Sequence, residues 1–152
     1  MCGTQQEFAS DFLAPKGTQI RAARGGYVAD VYQTQTENCW EKPWCAGNHL
    51  IIEQQDGEYS FYTHMSFLTV YAQIGERIFR GQYVSVVGNT GNSSDPHLHF
   101  HVTDAAGGYG QTFRTRFELY LDAPSSDFTE CRVPSGTDDT MASNNYKPAY
   151  FS

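Results

Sequence analysis

Pro96-His97-Leu98-His99-Phe100-His101-Val102-Thr103 alternates imidazoles with large apolar side chains. A period of two is the signature of a β-strand, on which residues two apart share a face and their Cα atoms lie about 6.6 Å apart. His97, His99 and His101 are therefore expected to point one way, and Leu98, Phe100 and Val102 the other way, into a core. Three of the chain's five histidines stand in this one run. Imidazole is the commonest metal ligand near neutral pH, so three of them on one exposed strand face predict a metal or proton-transfer site.

The same reading extends outward in both directions. Short runs of β-branched and aromatic residues separated by glycine turns predict further strands at Gln19–Ala23, Tyr27–Gln33, His49–Glu53, Tyr59–His64, Tyr83–Val87 and Phe113–Leu121. The last alternates most cleanly, with Phe113, Thr115, Phe117, Leu119 and Leu121 on one side. Gln55-Asp56-Gly57-Glu58 predicts a hairpin through a type I′ turn. No long amphipathic helix and no internal repeat is visible. The expected fold class is all-β, a compact antiparallel sheet or sandwich, over residues 1–123. Residues 124–152, rich in Ser, Thr, Asn and Asp, read as an irregular C-terminal extension.

A chain of 152 residues suits one ordinary domain. Its formal charge of −7, with no local basic patch, argues against nucleic acid or an anionic membrane as partner. No apolar run reaches the roughly 18 residues that a membrane-spanning helix needs, and the first residues lack a signal peptide's basic and apolar regions. Cys39 and Cys45 flank a loop short enough for a disulfide, and a bridge there is expected. Cys2 and Cys131 could tie the chain ends together, though nothing in their spacing requires it. With no Cys-x2-Cys pair, a four-cysteine zinc site is not expected.

Gly88-Asn89-Thr90-Gly91-Asn92-Ser93-Ser94-Asp95-Pro96-His97-Leu98-His99-Phe100 resembles the signature of the lysostaphin-type (LytM-like) zinc endopeptidases. Three further pieces arrive in that family's order. Asp11-Phe12-Leu13-Ala14-Pro15-Lys16-Gly17-Thr18 is similar to its Asp-bearing segment and Tyr62-Thr63-His64-Met65 to its third histidine block. Ile74-Gly75 through Arg80-Gly81-Gln82 is similar to the turn before its signature strand. Four ordered motifs are a specific signal, whereas His-Leu-His alone is a weak one. The resemblance implies an antiparallel β fold (duplicated-hybrid-motif-like) with an open groove, and cleavage of peptide bonds in bacterial peptidoglycan; a monomer acting in the periplasm or outside the cell is expected. It implies Zn2+ as cofactor, Asp11 and His99 as metal ligands, and His64 and His97 as the pair that handles protons and steadies the oxyanion. A zinc ion with three protein ligands activates water, and a nearby imidazole can accept and return the proton.

Taken alone, Asp11 reads as a turn or capping residue, His64 as a satisfied polar core residue and His49 as an exposed strand residue. Asn89, Thr90, Ser93 and Ser94 fit substrate contact and turn chemistry equally well. The chain departs from the family pattern in lacking its first ligand histidine: no His occurs among residues 1–48, and Glu7 stands four before Asp11. Three explanations are open: a ligand upstream of this chain, a non-catalytic member that binds peptidoglycan or regulates a hydrolase, or a third ligand supplied by Glu7 or His101. His101 stands where the family usually carries Glu, and Asp95 where it carries Gly. An unrelated β-sandwich binding module is a further alternative, which would leave Asp11 and His99 more than about 6 Å apart.

Overall fold

Residues 6–117 are described by the computed structural model, and every regular element among them is a strand. In chain order these are β1 (Ser10–Leu13), β2 (Gln19–Arg21), β3 (Gly26–Tyr32), β4 (Asn48–Glu53), β5 (Tyr59–Met65), β6 (Arg77–Ile78), β7 (Tyr83–Val86), β8 (His97–Thr103) and β9 (Thr112–Phe113). Seven form one antiparallel sheet in the order β1-β8-β5-β4-β3-β6, with β9 also on β8. β1 takes residues 97–100 of β8 and β9 takes Val102 and Thr103, so the two share the edge opposite β5. β2 and β7 make a second, two-stranded sheet. Among the described residues no helix is long and apolar enough to cross a membrane.

The alternation of β8 decides which side of the large sheet is the core. Leu98, Phe100 and Val102 join Tyr62, Leu50, Ile52 and Val28 in one apolar cluster, closed by Ile20 of β2 and Val84 of β7. Burying each such side chain favours folding by about 1.5–3 kcal/mol. The Tyr62 phenol lies in this cluster with its polar end satisfied, accepting a hydrogen bond from the Ala23 backbone N–H at 2.9 Å. The opposite face of the sheet is left to His97, His99 and His101, and to Phe61 and Thr63, their neighbours on β5.

Several sequence expectations need correction. The segment around Asp11, which taken alone reads as a turn, is a strand, because pairing with β8 satisfies its backbone. The long strand expected at Phe113–Leu121 is only Thr112–Phe113 within the described residues; Phe117 still packs on the core beside Phe12, ring centroids 5.2 Å apart. Leu119 and Leu121, the segment 124–152 and the pair Cys2 and Cys131 lie outside the described residues. The hairpin between β4 and β5 does form, but only Gly57 takes a positive φ, of 78°. Gly57 N–H donates to Gln54 O and Gln54 N–H to Glu58 O, which is a type I turn closed by a glycine bulge. The expected Cys39–Cys45 disulfide is present, with Cα atoms 6.3 Å apart.

Candidate active site

Asp11 and His99 are direct cross-strand partners between β1 and β8, so their side chains emerge on the same face. Asp11 Oδ1 lies 2.8 Å from His99 Nδ1 and 3.6 Å from His97 Nε2. This excludes the unrelated β-sandwich, which required the two to be apart. Asp11, His97 and His99 form a group whose ligand atoms all lie within 4.8 Å of one another. Glu7, exposed in the turn before β1, and His101 both stand outside that group.

His64 reaches the same face through a break in the strand pattern. β4 pairs Asn48 with Met65 but His49 with Thr63, which leaves His64 as an extra residue in β5. Its φ is 65°, in the left-handed region that few non-glycine residues adopt. Unbroken alternation would send its ring to the core side with Tyr62. The bulge re-aims it instead, to a ring-centroid distance of 4.7 Å from His97. Gly47 makes this possible: a Cβ there would lie 2.8 Å from His64 Nδ1 and 2.7 Å from Thr90 O.

Backbone carbonyls fix which ring nitrogens carry protons. His64 Nδ1–H donates to Thr90 O at 2.7 Å, and His97 Nδ1–H donates to Asp95 O at 2.7 Å. A carbonyl can only accept, so in each neutral ring Nε2 keeps its lone pair. Burial, only partly offset by the Thr90 carbonyl, pushes the His64 pKa down to about 4, and His64 is neutral near pH 7. Asp11 is held below the ordinary carboxylate range, first by its contact with His99 and against its partial burial.

His101 corrects the expectation of an exposed histidine face. It is fully buried, stacked on Phe61 at 4.8 Å between centroids. Its Nε2–H donates to Gly108 O at 2.7 Å, and its Nδ1 lies 3.2 Å from His99 Nε2. Burial lowers its pKa to about 4, so Nδ1 is an acceptor and His99 must donate from Nε2. His99 Nδ1 therefore has a lone pair directed at the Asp11 carboxylate, and a proton or a cation has to sit between these two acceptors. With both nitrogens engaged inside the protein, His101 orients His99 rather than offering a ligand atom.

Asp11, His64, His97 and His99 line a groove of about 440 Å³ whose walls include Trp40, Trp44 and Tyr109, and His101 lies outside its lining. The sequence expectations named none of these aromatics, although the Cys-x5-Cys loop that carries two of them was legible. Thr90 and Ser93 hold the histidines in place, the latter with Oγ 3.2 Å from His97 Nδ1. Ser93 and Ser94 also line the groove, whereas Asn89 supports it by accepting from Ser93 Oγ. His49 lies off the groove and is only half-buried, its Nε2 3.0 Å from Asp30.

Residues 5–111 match the sequence model of peptidase family M23. The chain belongs to peptidase family M23. The M23 chain is 32% identical over 93 residues to peptidoglycan DD-endopeptidase ShyA of Vibrio cholerae, covering 61% of this chain and 19% of that protein. It therefore spans about a fifth of that relative's length. Among solved structures, the catalytic domain of a mutant of the prophage-encoded M23 protein EnpA from Enterococcus faecalis aligns with TM-score 0.57 and 29% identity. That alignment covers 70% of this chain and 74% of the other. A zinc-containing peptidase from Vibrio cholerae aligns with TM-score 0.50 and 30% identity, over 60% of this chain and 25% of its own.

Zinc is the metal these M23 similarities suggest, and the donor set suits it. A carboxylate oxygen of Asp11 faces the Nδ1 of His99, whose proton has been directed to the far side of the ring, and oxygen and nitrogen donors of these kinds are ones zinc takes.

Proposed function

We propose that this M23 chain is a zinc-dependent endopeptidase domain that hydrolyses peptide bonds in bacterial peptidoglycan. Asp11 and His99 are its metal ligands, and His64 and His97 its proton-handling pair. The observation that carries the reading is the convergence of Asp11, His97 and His99 beside His64 in one open groove. Zinc held there supplies Lewis acidity toward a carbonyl and a water. The rest falls to the chain's own groups. His64 and His97 each keep a free Nε2 because a backbone carbonyl occupies Nδ1–H. One of these bases takes the proton of the attacking water and returns it to the leaving amine. While protonated, it also stabilises the negative charge growing on the substrate oxygen. No side-chain nucleophile is required.

The Cys39–Cys45 disulfide supports a working place outside the reducing cytoplasm, periplasmic or extracellular; under the proposed reading peptidoglycan peptides are the partner and the monomer is the unit. Glu7, standing outside the donor group, favours a second reading: a non-catalytic member of the fold that binds peptidoglycan or regulates a hydrolase. Zinc content separates the two. The enzyme reading expects about one zinc per chain and release of peptides from purified cell walls, abolished in His97→Ala. A folded chain that takes up no zinc at micromolar supply supports the second reading.

A further inference from the structure

One wall of the groove takes no part in the chemistry above. The Cys39–Cys45 disulfide closes a loop that carries Trp40 and Trp44, 55% and 79% exposed, and both side chains line the groove with His64, His97 and His99. Two indoles left in water at the rim of a reactive groove mark a binding surface more strongly than scattered exposed apolar residues do.

The loop is also held firmly. Lys42 N–H donates to Cys39 O and Cys45 N–H to Lys42 O, so the loop is folded on itself. Cys39 N–H donates to Gly91 O, Asn92 N–H to Cys45 O, and the Asn38 amide to Ser93 O at 2.6 Å. The indoles therefore stand on the same segment, residues 89–93, that orients His64 through Thr90 and His97 through Ser93. A surface ordered before binding loses less conformational freedom when ligand arrives. The intervening Glu41 and Lys42 cancel in charge, so the wall presents apolar faces rather than a charged patch.

We propose that Trp40 and Trp44 are substrate-binding residues that grip the uncharged, C–H-bearing stretch of peptidoglycan beside the scissile bond, and that the Cys39–Cys45 disulfide holds them in the binding arrangement. This inference rests on the peptidoglycan reading. The shared ligand chemistry is a C–H face against an indole, offered by a sugar ring or by the methyl groups of a stem peptide.

The test uses the full chain with a chelator present, so that binding is measured without turnover. Co-sedimentation with purified cell-wall sacculi is expected to weaken about tenfold in the Trp40→Ala, Trp44→Ala double variant. It should change little in Glu41→Gln, Lys42→Gln or on raising salt. The Cys39→Ser, Cys45→Ser variant should lose several-fold. Indole fluorescence titrated with a disaccharide fragment and, separately, with a stem peptide identifies the source: a response to either supports the inference and names the face recognised, and a response to neither overturns it. Equal sedimentation of wild type and the double variant overturns the inference while leaving the peptidoglycan reading standing. A wild-type chain that does not sediment with sacculi overturns both.

Discussion

Asp11 Oδ1 and His99 Nδ1 face each other at 2.8 Å from directly paired positions of β1 and β8, with no intervening residue to set their distance. The contact is a property of strand register. It brings together two residues 88 positions apart in sequence, one from a short edge strand and one from the strand with three partners. Replacing either should therefore remove metal affinity while leaving the core untouched. Asp11→Asn and His99→Ala are each expected to weaken zinc binding by about 100-fold or more, measured by competition with a chromogenic chelator. Affinity equal to wild type in both variants rules this pair out as ligands.

On the zinc reading proposed for this site, His101 would act on the metal through His99. His101→Ala empties a buried ring site under Gly108 and leaves His99 Nε2–H without its acceptor. Stability should fall by about 2–4 kcal/mol in urea titrations, and zinc affinity by about 10-fold to 100-fold. His101→Phe refills the volume but cannot accept the proton, so it should recover part of the stability and none of the affinity. Recovery of both would make the residue purely a packing element.

Gly47 gives a sharper test of His64. A methyl group there meets His64 Nδ1 and Thr90 O, the two atoms that fix the ring. Gly47→Ala should lower kcat on cell walls by about 100-fold, a displacement of about 1 Å being costly at a reacting group. Zinc content should stay at the wild-type level. His64→Ala is expected to do the same, with a loss of about 100-fold to 10,000-fold. Loss of zinc from either variant would move His64 from proton transfer to metal binding.

Acidification should unfold the metal-free chain in a definite window. His64 and His101 are both depressed to about 4 in the fold, from an ordinary value of 6.5. Between those values the unfolded chain binds the protons that the folded chain refuses, so stability rises with pH there and is lost as pH falls from about 6.5 toward about 4. Each group contributes at most about 1.4 kcal/mol per pH unit in that interval. Asp11, whose pKa is lowered, adds stability above its ordinary 3.8 that disappears only below it. Melting temperatures recorded with chelator from pH 7 to pH 4.5 check the sign; a flat profile contradicts the neutral burial of both rings.

Much of this was legible in the chain because strands advertise themselves by alternation. The run from His97 to Thr103 named its own core face and its own chemical face, and the ordered motifs placed Asp11 and His64 beside it. The bulge at His64 was not legible: alternation assigns that residue to the core side, and only pairing with β4 exposes the extra position. The burial of His101 was hidden for a related reason, since its cover is the Phe61 ring on the paired strand together with the Gly108 backbone carbonyl, a contact no side-chain pattern announces. The alternation from Phe113 misled because side chains can keep an inward and outward rhythm after strand pairing has stopped, as buried Thr115 and exposed Arg116 do.

A one-residue slip of β8 between β1 and β5 would exchange its two faces, sending imidazoles into the hydrocarbon interior and Leu98 and Phe100 into the groove. The same seven residues thus serve as both keystone and reagent. A misaligned chain would lose its apolar packing and its proposed metal donors together, so on that reading metal uptake would report that the strands have been correctly threaded.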